Sequence, residues 1–358
     1  MGDARSGRGD CTPRGRPRQS RYIRAVVLAL DHVDHPPVAH ANFQPTRHMT
    51  RRIVITGAAG LVGQNLVARL KAQPDITIVG IDKHPTNTAL LRRMHPEVEV
   101  IEADLAKPGP WTKAFAGADA VVLNQAQIGG LDEREFVANN ITATEAIVAA
   151  IEDRSIPYFV HISSSVVNSR ADDFYTRSKT AQERFIDTVA TPHVVLRPTL
   201  MFGWFDRKHL GWLRRFMDRS PVFPIPGKGQ FLRQPLYAGD FVAVIAASLE
   251  RQMTGTYDVS GVELINYGDL IQLISDIVKP RARIVRIPYG LFWVLLFLYG
   301  KFDGNPPFTT RQLEALVIPE TFAITDWPTV FGVTPTPLRQ ALEETFCDPR
   351  HAAVVLDF

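Results

Sequence analysis

The sequence predicts an α/β fold, a doubly wound parallel sheet joined to a smaller α/β lobe toward the C-terminus. Three observations carry this expectation. The β-branched run Ile53-Val54-Ile55-Thr56 leads directly into glycines spaced three apart at 57, 60 and 63. Leu66, Val67 and Leu70 then follow at helical spacing. Further apolar runs at 76–81, 98–101, 120–124, 158–163 and 193–197 alternate with helical patterns such as Phe136 to Glu152 and Tyr175 to Val189. After residue 197 the texture changes, with three prolines and two glycines between Pro221 and Gln234.

The glycine run comes first. A glycine is needed where a strand turns sharply into a helix and where a phosphate approaches the backbone without meeting a Cβ. The helix behind it offers unpaired N–H groups and the positive end of its dipole to a pyrophosphate. The second strand, Ile76 to Ile81, ends in Asp82, 19 residues past Gly63. A carboxylate at that spacing accepts hydrogen bonds from a ribose 2′-hydroxyl and repels a 2′-phosphate. The motif therefore reads as a Rossmann-type dinucleotide site that prefers NAD over NADP. The bland alternative is a tight strand–helix turn with Asp82 as a solvated loop residue.

The remaining strands extend the same pattern, and the candidate motifs fall at strand ends or just after them. Residues 221–234 read as loop, 240–250 as helix, 256–260 as strand, and 267–278 and 337–346 as helices. The expected organisation is an NAD-binding domain over 49–200 with 236–260 returning to it. A substrate-binding lobe is expected from 201–235 and 261–346, and a C-terminal tail from 347–358.

Composition bounds the function. With 358 residues and 45% hydrophobic content the chain can bury a large core. Net charge is only +3, and residues 1–24 carry seven arginines against two aspartates, so the rest is close to neutral. The basic balance is no argument for nucleic-acid binding. Residues 1–48 show no sustained periodicity and read as a disordered extension upstream of Met49, with an organelle-targeting reading as the minor alternative. The two cysteines, Cys11 and Cys347, exclude a disulfide framework and a cysteine-rich metal site. They fit a reducing, cytoplasmic setting. The histidines show no metal-ligand spacing, so no metal is expected. Ile287 to Gly300 is uncharged and strongly apolar but too short to span a bilayer. It reads as a buried or interface helix, with membrane-surface contact as the alternative.

Chemistry enters with Tyr175-Thr176-Arg177-Ser178-Lys179. Positions i and i+4 share a helix face, and an ammonium beside a phenol favours phenolate. Such a tyrosine can take the proton of a substrate hydroxyl while hydride leaves the same carbon for a nicotinamide. Upstream, Phe159-Val160-His161-Ile162 ends in Ser163-Ser164-Ser165, and a hydroxyl there can bond the substrate oxygen and the tyrosine. Strand-end serines are also common turn residues. His161 reads as a packed core histidine, and Trp204, Trp212 and Phe216 as core aromatics or pocket lining.

In this order, these motifs make residues 51–346 resemble the extended short-chain dehydrogenase/reductases, the family of nucleotide-sugar epimerases and dehydratases. The family's glycine motif is matched by Thr56 to Gly63, its adenine-contacting pair by Asp104-Leu105, and a degraded helix motif by Asn140 to Glu145. Its later signatures are matched by Arg197-Pro198-Thr199-Leu200-Met201-Phe202-Gly203 and by Tyr237 to Val242. The resemblance implies Tyr175, Lys179 and Ser164 as the catalytic set, with Ser165 the alternative hydroxyl. It implies Gly57, Ala59, Gly60, Leu61, Val62, Gly63, Asp82, Lys83, Asp104, Leu105, Ala126, Tyr175, Lys179 and Pro198 around NAD. Arg233, Ser165 and Thr199 are implied on the substrate side, Arg233 standing between a diphosphate ligand and a solvated loop arginine. The family also implies a homodimer through the helices matching Phe136–Glu152 and Tyr175–Val189.

Three departures shape the functional expectation. Only 11 residues separate Ser164 from Tyr175, where sugar-nucleotide epimerases usually carry a longer loop. The fourth strand ends Leu123-Asn124-Gln125-Ala126-Gln127 rather than H-x-A-A. The C-terminal region also resembles atypical relatives that include the dinucleotide-binding accessory subunit of respiratory complex I. The leading expectation is an NAD-dependent nucleotide-sugar epimerase or dehydratase. The alternatives are a net NAD(P)-dependent dehydrogenase or reductase of a sterol- or flavonoid-like alcohol, and a non-catalytic dinucleotide-binding subunit.

Overall fold

The computed structural model describes residues 50–169, 171–302, 310–317, 322 and 325–357. The extension expected over 1–48 lies outside the described residues. Seven parallel strands form the central sheet: β1 (Arg51–Thr56), β2 (Ile76–Asp82), β3 (Glu99–Glu102), β4 (Ala120–Leu123), β5 (Phe159–Ile162), β6 (His193–Pro198) and the strand Gly255–Val259. Their spatial order is Gly255–Val259, β6, β5, β4, β1, β2, β3. The chain winds outward from β1 to β3, returns to the other side of β1 at β4, and winds outward again. The switch therefore lies between β1 and β4, and ligands of open α/β sheets bind at the strand C-termini there.

Alternation of side chains along β1 fills both faces. Ile53 and Ile55 join Leu66, Val67, Val122, Val160, Phe241 and Val244 in one core. Val54 joins Val79, Val121, Leu123, Ile147, Ile151 and Ile186 in the other. The first face is covered by α1 (Leu61–Leu70) and α7 (Ala238–Arg251). The second is covered by α4 (Ala143–Asp153) and α5 (Phe174–Ile186). Before α4 the chain runs through α3 (Glu133–Phe136) and a π-helical turn at Val137–Thr142. The helix expected over Phe136–Glu152 thus starts earlier and widens in the middle. The π turn leaves Asn140 buried, where its amide bonds the Gln127 backbone and Ser178 Oγ. Between β2 and the edge strand β3, α2 (Pro85–Met94) follows from the Asp82 turn.

A third core belongs to the smaller lobe. It joins Phe202, Phe223, Ile225 and Tyr237 to Leu210 and Met217 of α6 (Leu210–Arg219), Leu270, Ile271 and Ile274 of α8 (Tyr267–Val278), and Leu342 and Phe346. The loop expected over 221–234 contains two short strands. Val222–Pro226 pairs in parallel with Arg283–Ile287, and Leu232–Arg233 pairs with Ile265–Asn266. Pro224 and Pro226 are tolerated because this two-stranded ribbon has an open edge. The stretch expected as a tail also packs: Leu356 is buried, and Asn87 exchanges two hydrogen bonds with the Asp357 backbone. The apolar segment forms α9 (Tyr289–Phe302), which leans on α10 (Thr310–Val317) through a Trp293–Glu314 hydrogen bond. A fully buried helix is not what forms, since Leu291, Val294, Leu295, Phe297 and Leu298 are exposed. Among the described residues no helix is long and apolar enough to cross a membrane.

Candidate active site

The C-terminal ends of β1, β2, β4, β5 and β6 converge on one rim. Gly57 takes φ +62°, and a Cβ there would meet the Asn124 and Gln125 backbone at 2.8 Å. A Cβ on Gly63 would lie 2.4 Å from Gly57 O and 2.6 Å from Ala58 C. Both glycines are therefore imposed by packing of the turn against β4 and of α1 against the turn. Gly60 differs. Its backbone is extended, and a Cβ would meet only Gly57 O, at 3.5 Å. Nothing in the protein requires glycine there, while α1 opens with no side-chain cap on its first turn. A bare turn before an uncapped helix N-terminus fits a pyrophosphate that a Cβ would displace.

Asp82 closes the turn from the β2 side. Its Oδ2 accepts from Ala59 N at 3.0 Å and its Oδ1 from His84 N at 3.0 Å. Burial pushes its carboxyl up, against the pull of these backbone bonds. Asp82 is thus an anchor of the glycine turn, and it stays partly exposed. Lys83 is exposed and donates to Asn139 Oδ1 at 2.8 Å. Asp104 stands after β3, ion-paired with Lys107 at 3.1 Å and accepting from Ala106 N. Leu105 beside it is buried, and Ala126 is exposed beyond β4.

At the β5 end, the Tyr175 phenol stands beside Ser164, whose hydroxyl acts to lower its pKa. Ser164 is buried and caps the short helical turn Ser165–Asn168, which leaves Ser165 half-buried. Burial raises the Tyr175 phenol, Ser164 opposes that rise, and Asp173 adds to it. The lowering expected from Lys179 does not appear in this arrangement. Lys179 is fully buried, and its Nζ donates to Ile162 O at 2.9 Å and to Gln182 Oε1. Its ammonium is spent on the end of β5. Burial brings its pKa down to about 7, against the pull of Glu183, which itself pairs with Arg197 at 2.6 Å.

The Gln182 contact opens a buried polar chain that the motifs alone did not reveal. Gln182 Nε2 donates to Thr144 Oγ1 at 2.6 Å, and Gln125 Nε2 donates to the same oxygen at 3.0 Å. Thr56 Oγ1, the last residue of β1, donates to Gln125 Oε1 at 2.5 Å. The glycine turn and Lys179 are therefore joined through Gln125, Thr144 and Gln182. One signal in the sequence pointed there: Gln182 lies three residues past Lys179, on the same helix face.

Pro198 ends β6 and Thr199 follows it, where Thr199 Oγ1 is buried with no protein partner, as is Ser163 Oγ just past β5. Buried hydroxyls left without a partner suit a bound polar ligand. Arg233 is not a solvated loop residue. It is buried, bonds Leu232 O and Leu316 O, and lies 5.9 Å from the Tyr267 ring centroid. His161 is fully buried and held neutral by burial. Trp204 stacks on His351 and Trp212 on Phe216. Among the described residues no group of three or more His, Cys, Asp or Glu could hold a metal ion.

The fold is shared with solved structures. UDP-glucuronic acid 4-epimerase from Bacillus cereus, in complex with NAD, superposes with a TM-score of 0.65 at 22% identity, covering 82% of this chain and 96% of that one. UDP-N-acetylglucosamine 4-epimerase from Methanobrevibacter ruminantium gives 0.65 at 18% identity over 83% and 97%. By sequence, the chain is 26% identical over 351 residues to the rat NADH dehydrogenase [ubiquinone] 1 alpha subcomplex subunit 9, covering 91% of this chain and 88% of the rat protein. The Arabidopsis thaliana subunit of the same name is 25% identical, over 66% of this chain and 60% of its own length. The dTDP-glucose 4,6-dehydratase of Streptomyces griseus is 26% identical over 64% of this chain and 79% of its own. Residues 53–260 match the model of the NAD dependent epimerase/dehydratase family. With more than half of the chain inside that match, the protein is an NAD-dependent enzyme of this family, in the extended short-chain dehydrogenase/reductase class.

Proposed function

We propose that the protein is an epimerase or dehydratase acting on a nucleotide-sugar, with Tyr175 as its acid/base group. The observation that carries the proposal is the placing of Tyr175 beside Ser164 at the C-terminal end of β5, one helical turn from buried Lys179. NAD supplies a hydride acceptor and donor at its nicotinamide. In this reading Gly57, Ala59, Gly60, Leu61, Val62 and Gly63 hold the pyrophosphate, and Asp82 and Lys83 the adenosine ribose. Asp104 and Leu105 flank the adenine, and Ala126 and Pro198 border the nicotinamide half. Tyr175 Oη removes the proton of a substrate hydroxyl as its carbon is oxidised and returns it on reduction. Ser164 Oγ holds the substrate oxygen, with Ser165 and Thr199 beside it. Lys179 would reach the nicotinamide ribose by exchanging its contacts to Ile162 O and Gln182 Oε1. Arg233 and the lobe formed by 201–235 and 261–346 receive the nucleotide-sugar, and the active form is a homodimer through α4 and α5.

Substrate panels decide this. Purified protein with NAD is incubated with UDP- and dTDP-sugars, and products are resolved by chromatography. Tyr175→Phe is expected to lose about 10²–10⁴ in turnover and keep its NAD affinity. Equal turnover by the variant overturns the assignment of Tyr175.

A second reading has one observation in its favour. The rat complex I subunit aligns over 91% of the chain, against 64% for the S. griseus dehydratase. In that reading the chain binds its dinucleotide as part of an assembly. Tight NAD binding with no turnover on sugars or on apolar alcohols supports it.

A further inference from the structure

The outer face of α9 is organised for contact with something apolar. Leu291, Val294, Leu295 and Leu298 fall at i, i+3, i+4 and i+7, a single stripe. With Phe297 they are 44–54% exposed. The inner side is also apolar: Phe292 is buried, and Trp293 stacks on Phe297 and bonds Glu314 of α10. A helix apolar all round is ordinarily interior. Here one side rests on the lobe and the other leaves on the order of 500 Å² of apolar surface open, the size at which exposed patches mark interaction sites.

Charge around the helix identifies the occupant. Lys279, Arg281, Arg283 and Arg286 precede it, Lys301 ends it, and no Asp or Glu occurs from 279 to 302. All five cations are exposed. Arg281, Arg283 and Arg286 form no ion pair with another described residue. An apolar stripe about 10 Å long beside a carboxylate-free basic run is complementary to lipid chains beneath anionic headgroups. A soluble partner with an apolar groove would match the stripe but not the run of positive charge. The helix is too short to span, so it would lie in the interface plane.

We propose that α9 and the basic segment 279–286 dock the protein peripherally on an anionic phospholipid bilayer. The proposal is independent of which substrate the active site takes.

The test is flotation of the full-length protein with vesicles of phosphatidylcholine alone or of equal parts phosphatidylcholine and phosphatidylglycerol. Wild type is expected to float with the anionic vesicles, less so at high salt, and to stay behind with the neutral ones. Leu295→Asp combined with Leu298→Asp is expected to weaken vesicle binding on the order of 100-fold, since each exposed leucine would otherwise enter the acyl boundary. Arg281→Gln with Arg283→Gln removes only surface charge, which keeps the test open if the aspartate variant fails to fold. It is expected to weaken binding about 25-fold at low salt. NAD affinity stays at the wild-type value in both. Failure of wild type to float with anionic vesicles overturns the proposal, as does equal flotation of the aspartate variant. Sedimentation that shows the aspartate substitutions breaking a wild-type oligomer, with no vesicle binding, assigns the stripe to a second copy and overturns it as well.

Discussion

Gly60 and Gly63 lie three residues apart in one turn, yet replacing each by alanine should do opposite things. Gly60 has φ −79° and ψ 179°, which alanine adopts freely, and its Cβ would meet nothing closer than 3.5 Å. Removing glycine from the unfolded chain stabilises by about 0.4–1 kcal/mol. Replacing glycine with alanine at a helix N-cap costs a similar amount, about 1 kcal/mol. The two offset, so Gly60→Ala should unfold within about 2 °C of wild type. The Cβ does intrude where a phosphate oxygen must approach the α1 N-terminus. Losing one charge-assisted hydrogen bond, about 1.5–3 kcal/mol, weakens NAD binding roughly 10- to 150-fold.

Gly63→Ala puts its Cβ 2.4 Å from Gly57 O and 2.6 Å from Ala58 Cα. These are backbone atoms at the junction of β1 and α1, so no rotamer relieves the overlap. Overpacking of this kind costs about 1–3 kcal/mol or more, and the melting temperature should fall by roughly 4–10 °C. Thermal unfolding by circular dichroism, paired with NAD titration by calorimetry, reads both variants. Wild-type NAD affinity in Gly60→Ala would refute the cradle, and an unchanged melting temperature in Gly63→Ala would refute the packing argument.

Three further outcomes follow from the same geometry. Burial lowers the Lys179 pKa to about 7 from an ordinary 10.5. Between those values the unfolded chain holds a proton that the native chain does not, so wild-type stability should rise with pH across that window. Denaturant titrations should show the rise disappearing in Lys179→Met, and parallel curves would refute it. Gln182→Leu strands one Lys179 donor inside the protein and removes one of the two donors to Thr144 Oγ1, which should cost about 1–3 kcal/mol and lower kcat more than it raises KM. Urea unfolding and steady-state kinetics measure the two effects. Leu356→Ala should destabilise by about 2–3 kcal/mol, because Leu356 is 3% exposed although it sits two residues from the chain end. An unchanged urea midpoint would show that the packing of 348–357 contributes nothing.

The sequence by itself determined the sheet, the glycine turn and the helix carrying Tyr175 and Lys179. All are local in period: β-branched runs ending in glycine, a carboxylate at the end of the next strand, two side chains four apart on one helix. Their order along the chain was enough to assign NAD and the family. Side-chain direction was not local. Lys179 shares a face with Tyr175, and spacing alone predicts a lowered phenol. The close of β5 instead presents Ile162 O to the ammonium, and Gln182 takes a second proton. That choice depends on Thr144 and Gln125, 35 and 54 residues away in sequence; Thr144 meets both Gln182 and Gln125 only after α4, α5 and β4 have packed.

The same limit explains the surface. Composition marked 287–300 as apolar and led to the expectation of a buried or interface helix. Whether a hydrophobic helix is covered depends on what packs over it, and Leu291, Val294, Leu295 and Leu298 remain outward. Pattern also could not read the C-terminal stretch, where Asn87 and Asp357 pair across 270 residues. Elements whose identity rests on backbone sterics and periodicity are fixed by the sequence of a few neighbours. The partners of Lys179, the burial of Arg233 and the exposure of α9 are set by contacts that exist only once distant segments have come together.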